Sequence, residues 1–174
     1  YGNVDAKCIM VKYRLEHFED IQKLEGYELS HLMYDYHKSM HLKDSVTRED
    51  IQPVVDLMEE KLVDYIRYGN FTSAYQIYES IKEEASFLGQ CCGAIAETTK
   101  TLPYIKKPDK QKRLRELLQR PEVEEYEYLK PYMEFVLKLL DEDRIQPWYE
   151  YAKKNSDRYR EIERAGLDES IANE

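Results

Sequence analysis

Four histidines lie in the first quarter of the sequence, and two of them have a spacing suited to metal binding. His37 and His41 would share one face of a helix, and Asp44 follows close by. Two imidazoles at this spacing can chelate zinc or nickel. The HExxH pattern of metal-hydrolase helices is missing, and no third ligand stands at a diagnostic position. We therefore expect solvent-exposed histidines beside lysines, and we predict no metal and no cofactor.

Two adjacent cysteines, Cys91 and Cys92, lie between Gly89 and Gly93 and could form a reactive thiol site. Vicinal cysteines form a disulfide only with strain, and no histidine lies near them in the sequence to act as a base. The small residues of this stretch favour close helix packing instead. With Cys8 the chain has three cysteines, an odd number that fits no disulfide framework and indicates a reducing compartment. The expected location is the cytoplasm.

The best-marked charged feature is a basic stretch at residues 100–120, which holds eight basic and two acidic side chains. Such a stretch can bind a phosphate or an acidic protein surface, but it is also typical of the solvated face of a helix. Tyrosine and tryptophan, which are abundant further on, supply large contact areas with a polar tip. Our candidates for contact with a protein partner are Lys106, Lys107, Lys110, Arg113, Tyr126, Trp148 and Tyr149.

Composition argues against several classes of function. The formal net charge of −9 disfavours nucleic acid and anionic membrane surfaces as partners, since both repel an acidic protein. No apolar run approaches the roughly 20 residues that a membrane-spanning helix needs. The sequence also lacks a phosphate-binding glycine loop, a nucleophile elbow and a metal-hydrolase helix. We predict that the chain is not an enzyme and that its partner is a protein, with the oligomeric state left open.

The hydrophobic pattern predicts an all-α fold with one ambiguous segment. Residues 7–15 alternate between apolar and polar types, which is a strand pattern. A lone strand needs a pairing partner, so this segment either pairs elsewhere or joins the next helix. Phe18, Ile21 and Leu24 then form a short helical stripe, which Gly26 is expected to end. We divide the chain into an N-terminal helical region at 1–46, a helical-repeat region at 47–166 and a tail at 167–174.

The clearest prediction is a pair of antiparallel helices. Thr47 and Asp50 resemble a capping box ahead of a long apolar stripe, Gly69 can take the left-handed position that ends the helix, and Asn70 can cap the next one. So short a connection permits only an antiparallel hairpin. The second stripe comprises Ala74, Ile77, Tyr78, Ile81, Ala85 and Leu88.

Prolines mark the starts of the later helices. Pro108, Pro121 and Pro131 are each expected to open one, because proline is tolerated in the first turn, where its missing N–H does least harm. A weaker helix is expected at 93–102, and the strongest stripe runs through 132–140. Further short helices are expected around Trp148 and Tyr159.

Three stretches give the chain a resemblance to HEAT-type α-solenoids. Residues 68–75 are similar to the glycine–polar–aromatic hinge of helical repeats. Residues 129–140 resemble the proline-led first helix of a HEAT unit, and 145–148 followed by 157–160 resemble its proline-then-aspartate–arginine pattern. The family implies a quasi-one-dimensional stack of helical hairpins with a curved binding surface and no chemistry of its own.

A second resemblance is to the histidine-phosphotransfer domain, a four-helix bundle. Residues 79–83 are similar to its His-x-x-Lys-Gly motif, and Leu88 and Gly89 match the Leu-Gly that follows. Glu79 stands where the phospho-accepting imidazole would be, and Glu83 replaces the glycine. The resemblance therefore implies a domain that has lost phosphotransfer and could only dock a response-regulator receiver.

The first interpretation is a short stack of antiparallel helical hairpins that acts as a non-enzymatic interaction or scaffolding module. Because the sequence begins with Tyr1, we expect it to be a segment of a larger intracellular protein. The alternative is the degenerate phosphotransfer-like bundle.

Overall fold

The computed structural model of the chain describes residues 3–100, 106–145 and 147. These residues contain helices and no strand, so the fold is all-α. The α-helices within these described residues are α1 (Val4–Glu16), α2 (Phe18–Ile21), α3 (Gly26–Ser39), α4 (Arg48–Arg67), α5 (Phe71–Ile81), α6 (Phe87–Lys100), α7 (Lys107–Gln119) and α8 (Lys130–Asp141). A 3₁₀ helix at Pro121–Tyr126 joins α7 to α8. Within this described part of the chain, none of the helices is both long and apolar enough to cross a bilayer.

The strand considered for residues 7–15 is wrong, because the whole segment lies within α1. The side chain of Asn3 caps this helix by accepting hydrogen bonds from the backbone N–H groups of Asp5 and Ala6, at 2.9 and 3.2 Å. Cys8 and Val11, three residues apart, turn together into the core. The alternating pattern misled because apolar residues also occupy the outer face of this helix.

Gly26 was expected to end a helix, and instead it begins one. Residues 18–21 form the short α2, and α3 starts at Gly26 behind a reciprocal capping box between Glu25 and Glu28. A Cβ atom on Gly26 would lie 3.0 Å from the hydroxyl oxygen of Tyr65 on α4. The glycine is therefore needed for close packing, and not for a left-handed turn.

The antiparallel hairpin of α4 and α5 is confirmed. Thr47 and Asp50 form the capping box at the start of α4. Gly69 adopts a positive φ of 71°, and the side chain of Asn70 caps α5 by accepting from Ser73 N at 3.2 Å. Along the two helices the apolar stripes pack against each other and against α3 and α6. Local hydrogen bonds thus fix both ends of this connection.

The second helix of the hairpin is shorter than its apolar stripe suggested, because α5 ends at Ile81 and α6 begins at Phe87. The carboxylate of Glu59, on α4, lies at the start of α6. It accepts hydrogen bonds from the backbone N–H and the hydroxyl of Ser86, at 3.3 and 2.6 Å. An acidic group at the N-terminus of a helix satisfies free N–H groups and complements the helix dipole.

Helix α6 contains residues 93–100 of the weaker helix expected at 93–102 and begins earlier, at Phe87, while residues 101 and 102 lie outside the described residues. Proline stands in the first turn of α7, of the 3₁₀ helix and of α8, as predicted for Pro108, Pro121 and Pro131. The main contacts of this half join α6, α7 and α8 to one another. The helices expected around Trp148 and Tyr159 lie outside the described residues.

We predict that Gly93→Ala destabilises the protein. A Cβ atom on Gly93 would lie 2.2 Å from a ring carbon of Tyr78, the residue through which α5 crosses α6. In a helix with free space at this position, alanine in place of glycine would stabilise the fold by about 0.5–1 kcal/mol. Overpacking a well-packed core costs about 1–3 kcal/mol, which is the larger effect. Urea unfolding should therefore give a lower free energy of unfolding for the variant. Ser80→Ala on α5 is the control and should leave the free energy of unfolding almost unchanged. A higher free energy of unfolding for Gly93→Ala would contradict the close packing of Tyr78 against Gly93.

A second prediction concerns pH. Glu59 is 5% exposed, and this burial raises the pKa of its carboxyl despite the hydrogen bonds from Ser86, which lower it. The folded chain therefore holds this proton to higher pH than the unfolded chain does, so stability falls as pH rises from about 4.5 through the folded pKa. Glu59→Gln should remove this fall, while Glu60→Gln, on an exposed neighbour, should keep it. Parallel curves of unfolding free energy against pH for wild type and Glu59→Gln would contradict the assignment.

Candidate functional site

The predicted basic stretch is largely paired with carboxylates of this chain. Arg113 forms an ion pair with Glu97 of α6 and donates to the hydroxyl of Tyr78. Arg115 donates to both carboxylate oxygens of Asp141 on α8, at 2.9 and 3.0 Å. These pairs connect α7 to the helices on either side of it.

The lysines of the same stretch differ in their surroundings. Lys107 forms an ion pair with Asp143. Lys110 is half-buried, and this burial lowers its pKa, while Glu97 acts in the opposite direction. Lys106 is exposed and precedes α7 with a positive φ of 55°. The basic side chains therefore stabilise contacts around α7 more than they form one continuous positive surface.

The predicted aromatic anchor Tyr126 is half-buried in a small cluster. Its ring centroid lies 6.1 Å from that of Phe87 and 6.4 Å from that of Tyr128, which it meets edge to face. Two guanidinium groups cover the cluster, Arg120 over Phe87 and Arg67 over Tyr128, each at 4.9 Å from the ring centroid. Trp148 and Tyr149, the other two predicted aromatic anchors, lie outside the described residues.

The adjacent cysteines are packing residues in this fold. Cys91 and Cys92 are both fully buried on α6. Burial raises the pKa of the Cys91 thiol to about 12 and raises the pKa of Cys92 as well. Because the thiolate is the reactive form, this environment suppresses thiol chemistry.

The motif similar to the phosphotransfer sequence is divided between two helices. Glu79 is exposed on α5 and pairs with Lys82 at 3.4 Å. Glu83 lies in the turn after α5, and Leu88 and Gly89 belong to α6. The residues that would form one helical surface in such a domain therefore belong to separate elements here.

The histidines do not all match the exposed arrangement that the sequence suggested. His41 is exposed, as expected, but His37 is half-buried, and its Nε2 lies 2.6 Å from Oε1 of Glu84. Glu83 is beside them, and one donor atom from each of His37, Glu83 and Glu84 lies within 4.8 Å of the others. Since 47 residues separate His37 from Glu84, spacing along the sequence gave no signal for this cluster.

Sequence reasoning also missed an exposed apolar surface on α1 and α3, which we call the α1–α3 face. Along α1 it comprises Ala6, Ile9, Met10 and Tyr13. Along α3 it comprises Tyr27, His31 and Tyr34. Ile9 is 65% exposed and Tyr27 is 73% exposed, although both are large apolar side chains.

A groove of about 450 Å³ runs between the two helices of this face. Met10 and Tyr27 line its apolar walls, and Arg14, Glu28 and Asp35 add charges at its edges. A smaller groove of about 190 Å³ lies on the other side of Met10, between α1 and α2. Met10 and Arg14 line both grooves and so lie between them, and Tyr13 lines the second groove.

Comparison of the chain with protein-family models, with curated proteins and with solved structures found no match.

We predict that the native thiols resist alkylation. In the folded chain at about pH 8, modification of Cys91 and Cys92 should be at least about a hundredfold slower than in denaturant, because the thiols are buried and protonated. A Cys8→Ser variant removes the third thiol, so that mass spectrometry of intact protein follows these two alone. Rapid labelling of either cysteine in folded protein would show that the site is reactive.

Proposed function

We propose that this protein is a non-enzymatic interaction and scaffolding module, and that the α1–α3 face is its docking surface. The observation that carries the proposal is the apolar outer stripe of α1. Cys8 and Val11 of this helix are buried, yet Ile9, Met10 and Tyr13 are each about half exposed or more. A helix with apolar residues all round is normally covered on both sides. Exposed apolar patches rimmed by polar residues are typical of protein-binding sites.

The helical arrangement supports the scaffolding part of the proposal. The main contacts join helices that are neighbours or next neighbours in the chain, for example α1 with α3, α3 with α5, α5 with α6, and α6 with α8. A progression of this kind is also expected of a HEAT-like stack, in which each unit covers the face of the previous one.

We propose a second copy of this chain as the occupant of the α1–α3 face. Met10 is 48% exposed and lies between two grooves, the larger of which is lined by Met10 and Tyr27, so one surface carries both a projecting and a receiving element. A two-fold symmetric interface requires this self-complementarity. Met10 of each copy would enter the groove of the other.

Side-chain size agrees with an antiparallel pairing of the two α1 helices. If the helices cross between Ile9 and Met10, the small side chain of Ala6 faces the large side chain of Tyr13 of the second copy, and the two-fold axis repeats this contact.

We predict concentration-dependent dimers in sedimentation equilibrium from about 1 µM to about 1 mM, a range that detects binding free energies of about 4–8 kcal/mol. Met10→Glu should raise the dissociation constant at least about tenfold, because it would bury an unpaired carboxylate in the groove. Tyr68→Glu, at a side chain 51% exposed on α4's C-terminal end, is the matched control and should leave the constant unchanged. A strictly monomeric chain, or a dimer unaffected by Met10→Glu, would overturn the proposed docking surface.

A further inference from the structure

Helix α3 ends beside the turn between α5 and α6, and three side chains with metal-binding groups meet there. His37 comes from the last turn of α3, while Glu83 and Glu84 come from the turn after Ile81. One donor atom from each lies within 4.8 Å of the other two. This cluster is separate from the α1–α3 face, and the proposed docking function does not use it.

Two donor atoms of the cluster already point at each other. Nε2 of His37 lies 2.6 Å from Oε1 of Glu84, so the imidazole and the carboxyl group form a hydrogen bond. A zinc ion binds imidazole nitrogen at about 2.0–2.1 Å and carboxylate oxygen at about 2.0–2.2 Å. In tetrahedral geometry these two atoms would be roughly 3.4 Å apart, which requires a shift of about 0.8 Å from their present separation. A side-chain rotation can supply such a movement.

Glu84 provides the observation that points to a ligand. Its side chain is 6% exposed, and its second carboxylate oxygen, Oε2, is buried and has no hydrogen-bond partner. An ionised carboxylate oxygen that is buried without a partner is costly, and buried charges are normally paired or coordinate metals. Oε1 has its partner in His37, so Oε2 is the atom whose burial is left uncompensated.

The surrounding charges are mixed. Arg48 approaches this turn and donates to the backbone carbonyl of Glu83 at 3.5 Å. Burial raises the pKa of the Tyr36 hydroxyl, and the nearby charges of Glu84 and Glu49 raise it further, while Arg48 lowers it. The carbonyl end of α3 adds negative potential at His37. Two glutamates and a helix C-terminus therefore outweigh one arginine and favour a bound cation.

We propose that His37, Glu83 and Glu84 form a binding site for a first-row divalent transition-metal ion. One imidazole with two carboxylates suits zinc, cobalt or manganese, whereas magnesium and calcium prefer all-oxygen sites. Binding replaces the hydrogen bond between Nε2 and Oε1 by two coordinate bonds, and the hydrogen of that bond moves to Nδ1 of the same imidazole or to solvent. Water would complete the coordination, since the chain supplies three ligands.

The test uses zinc and metal-free wild-type protein in isothermal titration calorimetry. We expect one ion per chain with a dissociation constant in the micromolar range, which corresponds to a binding free energy of about −8 kcal/mol. Magnesium at the same concentrations should give no saturable binding. A zinc constant weaker than about 1 mM, or a stoichiometry well below one, would overturn the site.

Variants separate this site from other ligands. His37→Gln keeps a hydrogen bond to Glu84 but removes the imidazole, and Glu84→Gln removes the buried charge; each should weaken zinc binding at least about tenfold. His41→Ala, on an exposed histidine one turn away, is the matched control and should bind as wild type does. Circular dichroism and the melting temperature establish that each variant is folded.

Cobalt as a second probe identifies the donor atoms. A site made of one nitrogen and two carboxylates gives weak visible bands without the intense sulfur-to-cobalt transition that cysteine ligands produce. A strong sulfur band would assign the metal to Cys91 and Cys92 and overturn the proposal. Unchanged zinc affinity in both His37→Gln and Glu84→Gln would overturn it as well.

Discussion

A buried carboxylate from one helix at the start of another determines how the two halves of this molecule join. Glu59 of α4 accepts from the N–H and hydroxyl of Ser86, and so it satisfies donors that the first turn of α6 leaves open. The close approach needs Gly89, because a Cβ there would lie 2.5 Å from Oε2 of Glu59. One turn later along α6, Gly93 admits the ring of Tyr78. The position of α6, and through it of α7 and α8, depends on these contacts.

The basic residues of α7 form ion pairs within the fold, whereas the outer stripe of α1 is apolar. The basic side chains of α7 are largely used inside the fold, where Arg113 and Arg115 connect α7 to Glu97 on α6 and to Asp141 on α8. Apolar side chains, in contrast, occupy the outer stripe of α1, where charged ones would be expected. The surface that resembles an interface is therefore on the α1–α3 side, and the basic stretch is chiefly a connection between helices.

Helix α3 relates the two proposed sites to each other. Tyr27 and His31 of its outer stripe line one wall of the groove beside α1. Its C-terminal end carries His37 to the turn that contains Glu83 and Glu84. Both sites are formed only because α3 packs against α1 on one side and α5 on the other. A metal ion at the end of α3 would add a cross-link between α3 and the turn after α5 without touching the docking surface.

The sequence by itself determined those features that local hydrogen bonds and helical periodicity control. The all-α class, the α4–α5 hairpin with its Thr47–Asp50 box and Asn70 cap, and the prolines that open the later helices all depend on residues within a few positions of one another. The tertiary structure decided the rest. The break between α5 and α6 depends on Glu59, and the environment of His37 depends on Glu84, each far away along the chain. The apolar pattern of residues 7–15 is also compatible with a strand, because the spacing of apolar residues does not show which faces of a helix other helices cover. Contacts between distant residues have no periodic trace in a single sequence, so only the packed chain could show them.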